Sequence, residues 1–288
     1  MHESRSEWQQ WQQQVIRELG VAGDFDVDAE RERRISFLAD YLFSQGLKTY
    51  VLGISGGVDS STAGRLAQLS VERLRARGYE AHFVAVRLPY GAQRDEKDAQ
   101  LALQFVRPDE TLTVNVKGPS DEMLLSLKQG GAQYTDDFQE DFVLGNIKAR
   151  ERMIAQYAIA GARRGVVIGT DHAAESLMGF FTKYGDGGAD VLPLYGLNKR
   201  RVRALAAALG AGTEIYAKVP TADLETLTPM KPDEDSYGIS YEDIDDFLEG
   251  KPVSDMVYAT IYRFHDATRH KRALPITPDD DWRMKALC

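Results

Sequence analysis

Apolar residues along this chain fall in two kinds of pattern. Short continuous runs, Tyr50-Val51-Leu52, Ala81 to Leu88, Thr111 to Val116 and Val166-Val167-Ile168, are bounded by glycine, proline or polar clusters. Such runs read as strands buried on both faces. Between them, apolar positions recur at helical spacing. Ile35, Phe37, Leu38, Tyr41 and Leu42 mark a helix that begins near Asp28 and stops before Gly46. A second helix runs from about Asp59 to Arg77 and ends at Gly78, and residues 95–106 read as a third. Glu140 to Arg164 reads as a long helix with Val143, Ile147, Ile154 and Ala158 along one stripe. Further helices are expected at about 198–209, 240–249 and 254–269. Residues 1–25 carry Trp8 and Trp11 among glutamines and suit an amphipathic helix, whereas Val191 to Leu194 is too short to assign.

Strands alternating with helices predict an α/β fold: a doubly wound, mainly parallel sheet with helices on both faces. Ligands in such sheets sit at the carboxyl ends of the strands. The segment 55–60, Arg87 and the pair Thr170-Asp171 all follow strand ends, so they converge on one sheet edge. Residues 1–288 are read as one domain, with 1–25 an N-terminal extension and 217–238, rich in Pro and acids, a mobile loop that is either a lid or a solvated connector. The polar stretch 91–96 reads as a second loop.

The segment after the first strand carries the most chemistry. Gly53-Ile54-Ser55-Gly56-Gly57-Val58-Asp59-Ser60 joins a strand to a helix start. Glycines let backbone approach a ligand, and free N–H groups at a helix start favour an anion. Asp59 suits magnesium held beside phosphates. The Gly-Lys-Ser/Thr ending of a Walker A loop is absent. Glu175 lies one helical turn beyond Asp171 and offers a second carboxylate, while His172 alone carries little. Residues 183–190 form another glycine-rich charged turn, with Lys183, Asp186 and Asp190.

Composition narrows the partners. At 288 residues with 43% hydrophobic content, the chain can bury a large core. A formal charge of −9 argues against bulk electrostatic binding of nucleic acid, so a bound nucleotide needs local donors, metal or a few placed cations. The single cysteine, Cys288, excludes an internal disulfide or thiol relay. No run reaches membrane-spanning length and the first residues lack a secretory pattern, so a cytoplasmic protein is expected.

The string Ser-Gly-Gly-Val-Asp-Ser resembles the pyrophosphate loop of the ATP pyrophosphatases. The resemblance narrows further, to the ammonia-dependent NAD+ synthetases, through 53–60, Val-Arg-Leu-Pro at 86–89, Lys-Ala-Arg-Glu-Arg-Met-Ile-Ala-Gln-Tyr at 148–157 and Gly-Thr-Asp-His-Ala-Ala-Glu at 169–175. It continues through 179–190, 220–224, 238–245 and His-Lys-Arg at 270–272, from roughly residue 30 to the C-terminus. Val58 stands where many relatives carry Gln. The resemblance implies an adenine nucleotide alpha hydrolase-like fold. It implies that Gly53, Ile54, Ser55, Gly56, Gly57, Val58, Asp59, Ser60, Arg87, Thr170, Lys199 and Thr221 contact ATP. Asp59 and Glu175 would hold Mg2+. Arg150, Lys183, Asp190, His270 and Lys271 would contact deamido-NAD+, and Asp186 would orient ammonia. Asp59, Asp186 and Lys199 would be the catalytic set, in a homodimer with no nucleic-acid or membrane partner. Another pyrophosphate-loop enzyme, such as a GMP synthetase-like amidotransferase, and a noncatalytic adenine-nucleotide sensor are the alternatives.

Overall fold

A computed structural model describes residues 5–91, 96–222, 227, 231–273 and 275–280. The chain opens with helix α1 (Arg5–Glu18) and α2 (Val27–Ser44). Strand β1 (Thr49–Gly53) leads into α3 (Val58–Ala76), then β2 (His82–Arg87), α4 (Glu96–Val106) and β3 (Glu110–Thr113). Two helices follow, α5 (Lys117–Gln129) and the long α6 (Asp137–Ala162), before β4 (Gly165–Val167) and the short α7 (Ala173–Met178). Beyond these come α8 (Lys199–Ala208), α9 (Thr213–Tyr216), the hairpin of β5 (Thr221–Ala222) and β6 (Lys231–Pro232), and α10 (Asp233–Tyr237). The last helices are α11 (Tyr241–Leu248) and α12 (Asp255–Ala267).

The main sheet is parallel throughout, in the order β3-β2-β1-β4. Thr49 pairs with His82 on one side of β1 and with Gly165 on the other. Alternate residues of each strand serve opposite faces. Tyr50, Leu52, Phe83 and Ala85 enter a core with α2, α3 and α8. Val51, Val84, Val86 and Val167 enter a second core that includes Ala160 of α6. This is the expected α/β sheet with helices on both faces.

A third apolar cluster joins α1, α7, α10, α11 and α12. Trp8 stacks on Tyr258 at 5.6 Å, and Trp11 packs on Phe247. Gln12 is buried and its amide donates to the carbonyls of Phe247 and Lys251 at 2.8 and 3.0 Å. The N-terminal segment is thus a helix, as its pattern suggests, and it braces α11.

Three expectations need correction. The apolar stripe on α6 is only partly buried: Ile147 is inside, but Ile154 is 53% exposed. The helix turns Gly145, Lys148 and Ala149 inward instead, and α5, which the sequence pattern did not reveal, packs beside it. Strand β3 spans Glu110–Thr113 rather than 111–116, although Val114 and Val116 N–H still donate to the Arg87 and Pro89 carbonyls at 2.8 and 2.9 Å before α5 starts at Lys117. Within 217–238 the described residues carry a small antiparallel hairpin and a helical turn, more order than a bare loop. Residues 223–226 and 228–230 of that segment, 92–95 of the other loop, and Cys288 lie outside the described residues.

Candidate active site

β1 and β4 diverge at their carboxyl ends, at the point where the strand order reverses. A cleft of about 460 Å³ opens there. Residues 53–55 and 57–60 line it, together with Thr170, Glu175, Asp186, Thr221, Asp233 and Lys271. One wall is the inner face of α6, including Asn146, Ala149, Arg152 and Gln156.

The glycine loop has a local reason for its sequence. Gly56 has φ +90°, and a Cβ there would lie 2.9 Å from backbone atoms of Asp98 and Ala99 in α4. Only glycine satisfies both conditions. Gly57 caps α3 without a side-chain bond, so the helix start keeps N–H groups directed at the loop. Ser55 Oγ and Ser60 Oγ lie 3.1 Å apart and tie the loop's ends together.

Four charged or ionisable groups meet at the floor of the cleft. Lys199 is buried, and its ammonium donates to Asp59 Oδ2 at 2.8 Å and lies 3.7 Å from Glu175 Oε1. His172 Nε2 lies 3.4 Å from Asp59 Oδ1, 3.5 Å from Glu175 Oε1 and 3.2 Å from Lys199 Nζ. Burial works to raise the Asp59 carboxyl, but the adjacent Lys199 and His172 hold it well below the usual carboxylate range. Burial likewise opposes the charge on Lys199, and Asp59 and Glu175 outweigh it, so its pKa is raised.

Lys199 is fixed from several sides. It opens α8 after the cap Asn198, whose side chain accepts from Arg201 N–H. Asp245 of α11 accepts the N–H groups of Lys199 and Arg200 at 2.9 and 2.7 Å, which suits a carboxylate at a helix start. The Lys199 ammonium also sits 5.0 Å from the ring centre of Tyr241. Tyr241 in turn donates to Asp233 Oδ2 at 3.0 Å. Burial pushes the Asp233 carboxyl up to about 6.

Asp186 reaches solvent through the cleft mouth, yet protein surrounds it closely and burial pushes it up to about 6. Its Oδ1 accepts from Thr182 N–H at 2.9 Å. Asp171 is raised well above the carboxylate range by burial, then by Glu175 and Asp186. Lys271 lines the cleft and donates to the carbonyls of Gly179 and Phe181.

Other sequence-selected residues lie elsewhere. Arg87 is buried at the end of β2 and forms a two-pronged pair with Glu96, at 2.8 and 2.7 Å, in a neighbouring groove. Arg150 is exposed and donates to the Lys183 carbonyl, and Lys183 donates to the carbonyls of His270 and Ala273. Together they form a group beside the cleft. Asp190 accepts from Val167 N–H and from Tyr157 hydroxyl, so it completes the outer edge of β4. Gln156, Asp233, Tyr241 and Asp245 carry no local sequence signal for a site role, and His172 carries little until the fold brings it to the centre of the cluster.

A parallel sheet with a glycine-rich loop and a helix start at the reversal of strand order, faced by acids and a buried lysine, is the arrangement of nucleotide-binding α/β enzymes. The family model described as NAD synthase matches residues 30–275. The chain belongs to the NAD synthase family. It is 70% identical to an NH(3)-dependent NAD(+) synthetase of Burkholderia lata over 269 residues, 93% of this chain and 95% of that relative. It is 68% identical to the enzyme of the same description from Paraburkholderia phytofirmans, covering 93% and 94%. Among solved structures, the NAD+ synthetase of Burkholderia pseudomallei superposes with TM-score 0.82 at 67% identity, covering 94% of this chain and 99% of that one. An NMN synthetase from Francisella tularensis superposes at 0.77 with 34% identity, covering 89% and 100%.

Proposed function

We propose that the protein amidates deamido-NAD+ with ammonia, consuming ATP: ATP + deamido-NAD+ + NH3 → AMP + PPi + NAD+. The observation that carries this reading is the glycine loop facing Asp59, Glu175 and Lys199 across one cleft, in a chain with 70% identity to an ammonia-dependent synthetase. The nicotinate carboxylate is a poor electrophile. Its oxygen attacks the α-phosphorus of ATP and the bond to the pyrophosphate oxygen breaks. Ammonia then attacks the activated carbonyl, AMP departs with the bonding electrons, and a proton is lost from nitrogen.

The chain's own part is placement and charge stabilisation. The N–H groups at the start of α3 and the Ser55 and Ser60 hydroxyls receive the departing pyrophosphate. Lys199 stabilises negative charge developing between the phosphates. Thr170 and Thr221 bracket the nucleotide, with Val58 and Ile54 beneath it. Arg87 reaches the nucleotide by exchanging its Glu96 partner. Arg150, Lys183, His270, Lys271 and Asp190 form the dinucleotide side, and Asp186 orients ammonia at the cleft mouth.

Asp59 and Glu175 offer hard oxygen ligands, and buried Asp59 Oδ1 has no well-formed hydrogen bond, only the His172 Nε2 contact at 3.4 Å. With His172, their ligand atoms lie within 4.8 Å of one another. The two carboxylates therefore fit Mg2+ beside phosphate oxygens, with His172 serving as a hydrogen-bonding neighbour. When bound, Mg2+ would neutralise charge on the phosphate oxygens.

The same reading includes a homodimer and a cytoplasmic location. Met123, Leu125 and Leu127 of α5 and Phe138, Phe142 and Ile154 of α6 are all more than one-third exposed. This many exposed apolar side chains on two packed helices suit cover by a second copy of the chain. No helix among the described residues is long and apolar enough to cross a membrane. The deciding experiment is turnover of purified protein with ATP, Mg2+ and ammonium, offering deamido-NAD+ and nicotinate mononucleotide in parallel. Preference for the mononucleotide, the substrate side suggested by the Francisella relative's description, would overturn the dinucleotide assignment.

A further inference from the structure

The ladder between β1 and β4 ends early. Its paired residues stop at Val51 and Val167, with one more bond from Ile168 N–H to the Val51 carbonyl. On the β2 side, pairing continues to Gly53 and Val86, and Ile54 N–H donates to the Val86 carbonyl at 2.9 Å. Gly53 N–H therefore faces the side where β4 has already diverged. Its partner is a side chain: Gln156 Oε1 of α6 accepts it at 2.7 Å. The Gln156 amide nitrogen is anchored in turn, donating to the Arg152 carbonyl one helical turn back at 3.2 Å.

This contact sits at the hinge between strand and pyrophosphate loop. Gly53 is the last strand residue, and the loop with its positive-φ Gly56 begins next. A Cβ on Gly53 would lie 3.1 Å from Leu88 Cδ1 and 3.3 Å from Gln156 Oε1, so glycine here also lets the carboxamide approach. Gln156 lines the same cleft as the loop. Gly53 is half-buried at the cleft edge, and there the shortened β4 ladder offers its N–H no main-chain acceptor. A carboxamide from the covering helix supplies one without charge, which suits a site built for polyphosphate.

We propose that Gln156 is a positioning residue: its carboxamide replaces the missing β4 carbonyl, holds β1 and β4 apart, and fixes the point from which the pyrophosphate loop departs. The inference rests on the ATP reading of the cleft. It acts through Gly53 and predicts an effect on ATP above all.

The test uses the full chain with Gln156→Leu, which removes the acceptor, and Gln156→Glu, which keeps a carboxylate oxygen at the same reach. Hydrogen exchange at Gly53 is measured in the free proteins, and steady-state kinetics with each substrate varied. Loss of one hydrogen bond to a part-buried donor predicts a rise of up to about tenfold in the ATP KM of Gln156→Leu. The deamido-NAD+ KM should stay unchanged. Gly53 exchange should speed up in the leucine variant and return to the wild-type rate in the glutamate variant. Unchanged Gly53 exchange in Gln156→Leu, or equal rises in both KM values, would overturn the proposal. The exchange arm needs no turnover. An inactive wild-type protein would therefore count against the reaction assignment, while exchange would still decide the role of Gln156.

Discussion

Replacing Lys199 with methionine keeps most of the side-chain volume and deletes a buried ammonium. That ammonium lies 2.8 Å from Asp59 Oδ2 and 3.7 Å from Glu175 Oε1. At an effective dielectric constant of about 20, these distances correspond to gross attractions of about 6 and about 4.5 kcal/mol. Dehydration of the lysine offsets several kcal/mol of this. Deleting one partner of such a cluster costs roughly 3–5 kcal/mol, because the stranded carboxylates stay in place. Asp59 and Glu175 side chains are 18% and 17% exposed to the cleft, so water relieves part of the repulsion and the lower end applies. At roughly 2–4 °C per kcal/mol for a chain of this size, the metal-free variant should melt about 10 °C lower. Mg2+ should then stabilise the variant more than the wild type, because the lysine no longer competes for the carboxylates. The assay is differential scanning calorimetry with EDTA and with Mg2+ at neutral pH. An unchanged Tm in EDTA, or equal Mg2+ shifts in the two proteins, would refute this account of the cluster.

Asp59→Asn and Glu175→Gln should each lose pyrophosphate release while circular dichroism stays native; normal release from either variant would remove that residue from the metal site. Lys183→Ala and Arg150→Ala should raise the KM for deamido-NAD+ more than that for ATP, and equal effects would point to a structural role. Ammonium should support turnover, faster at higher pH as the NH3 fraction grows, and glutamine should not; efficient glutamine use would show an amidase activity that the reading lacks. For Asp233, a folded carboxyl raised to about 6 binds its proton more tightly than in the unfolded chain. Its contribution therefore destabilises the fold progressively as pH rises from about 4 to about 6. Asp233→Asn should flatten the fall in Tm across that window, and identical pH profiles would contradict the burial argument.

The parts of the fold visible in sequence were those with local causes. Continuous apolar runs marked β1, β2 and β4, because strands covered on both faces exclude polar side chains. The glycine loop was legible because the approach of α4 to Gly56 demands glycine. Helix α5 was not, since its Met123, Leu125 and Leu127 face outward and give no periodic inner stripe. The same holds for α6, where Ile154 falls on the apolar stripe with Ile147 yet is exposed. In the site, Asp59 and Glu175 stood out as acids beside a phosphate loop. His172 and Asp245 did not, because their roles depend on α7, α8 and α11 converging from distant parts of the chain. Gln156 lies within the family string at 148–157, which assigns it no role. Its role depends on where β4 leaves β1, which no single-residue signal carries.

The central claim is that one cleft joins ATP cleavage to amide formation, and the stoichiometry of the purified chain tests it most directly. With ATP, Mg2+, deamido-NAD+ and ammonium, AMP, pyrophosphate and NAD+ should form in equal amounts. Pyrophosphate should not accumulate steadily when deamido-NAD+ is omitted. Release of ADP and phosphate, or AMP and pyrophosphate formed without NAD+, would contradict the account.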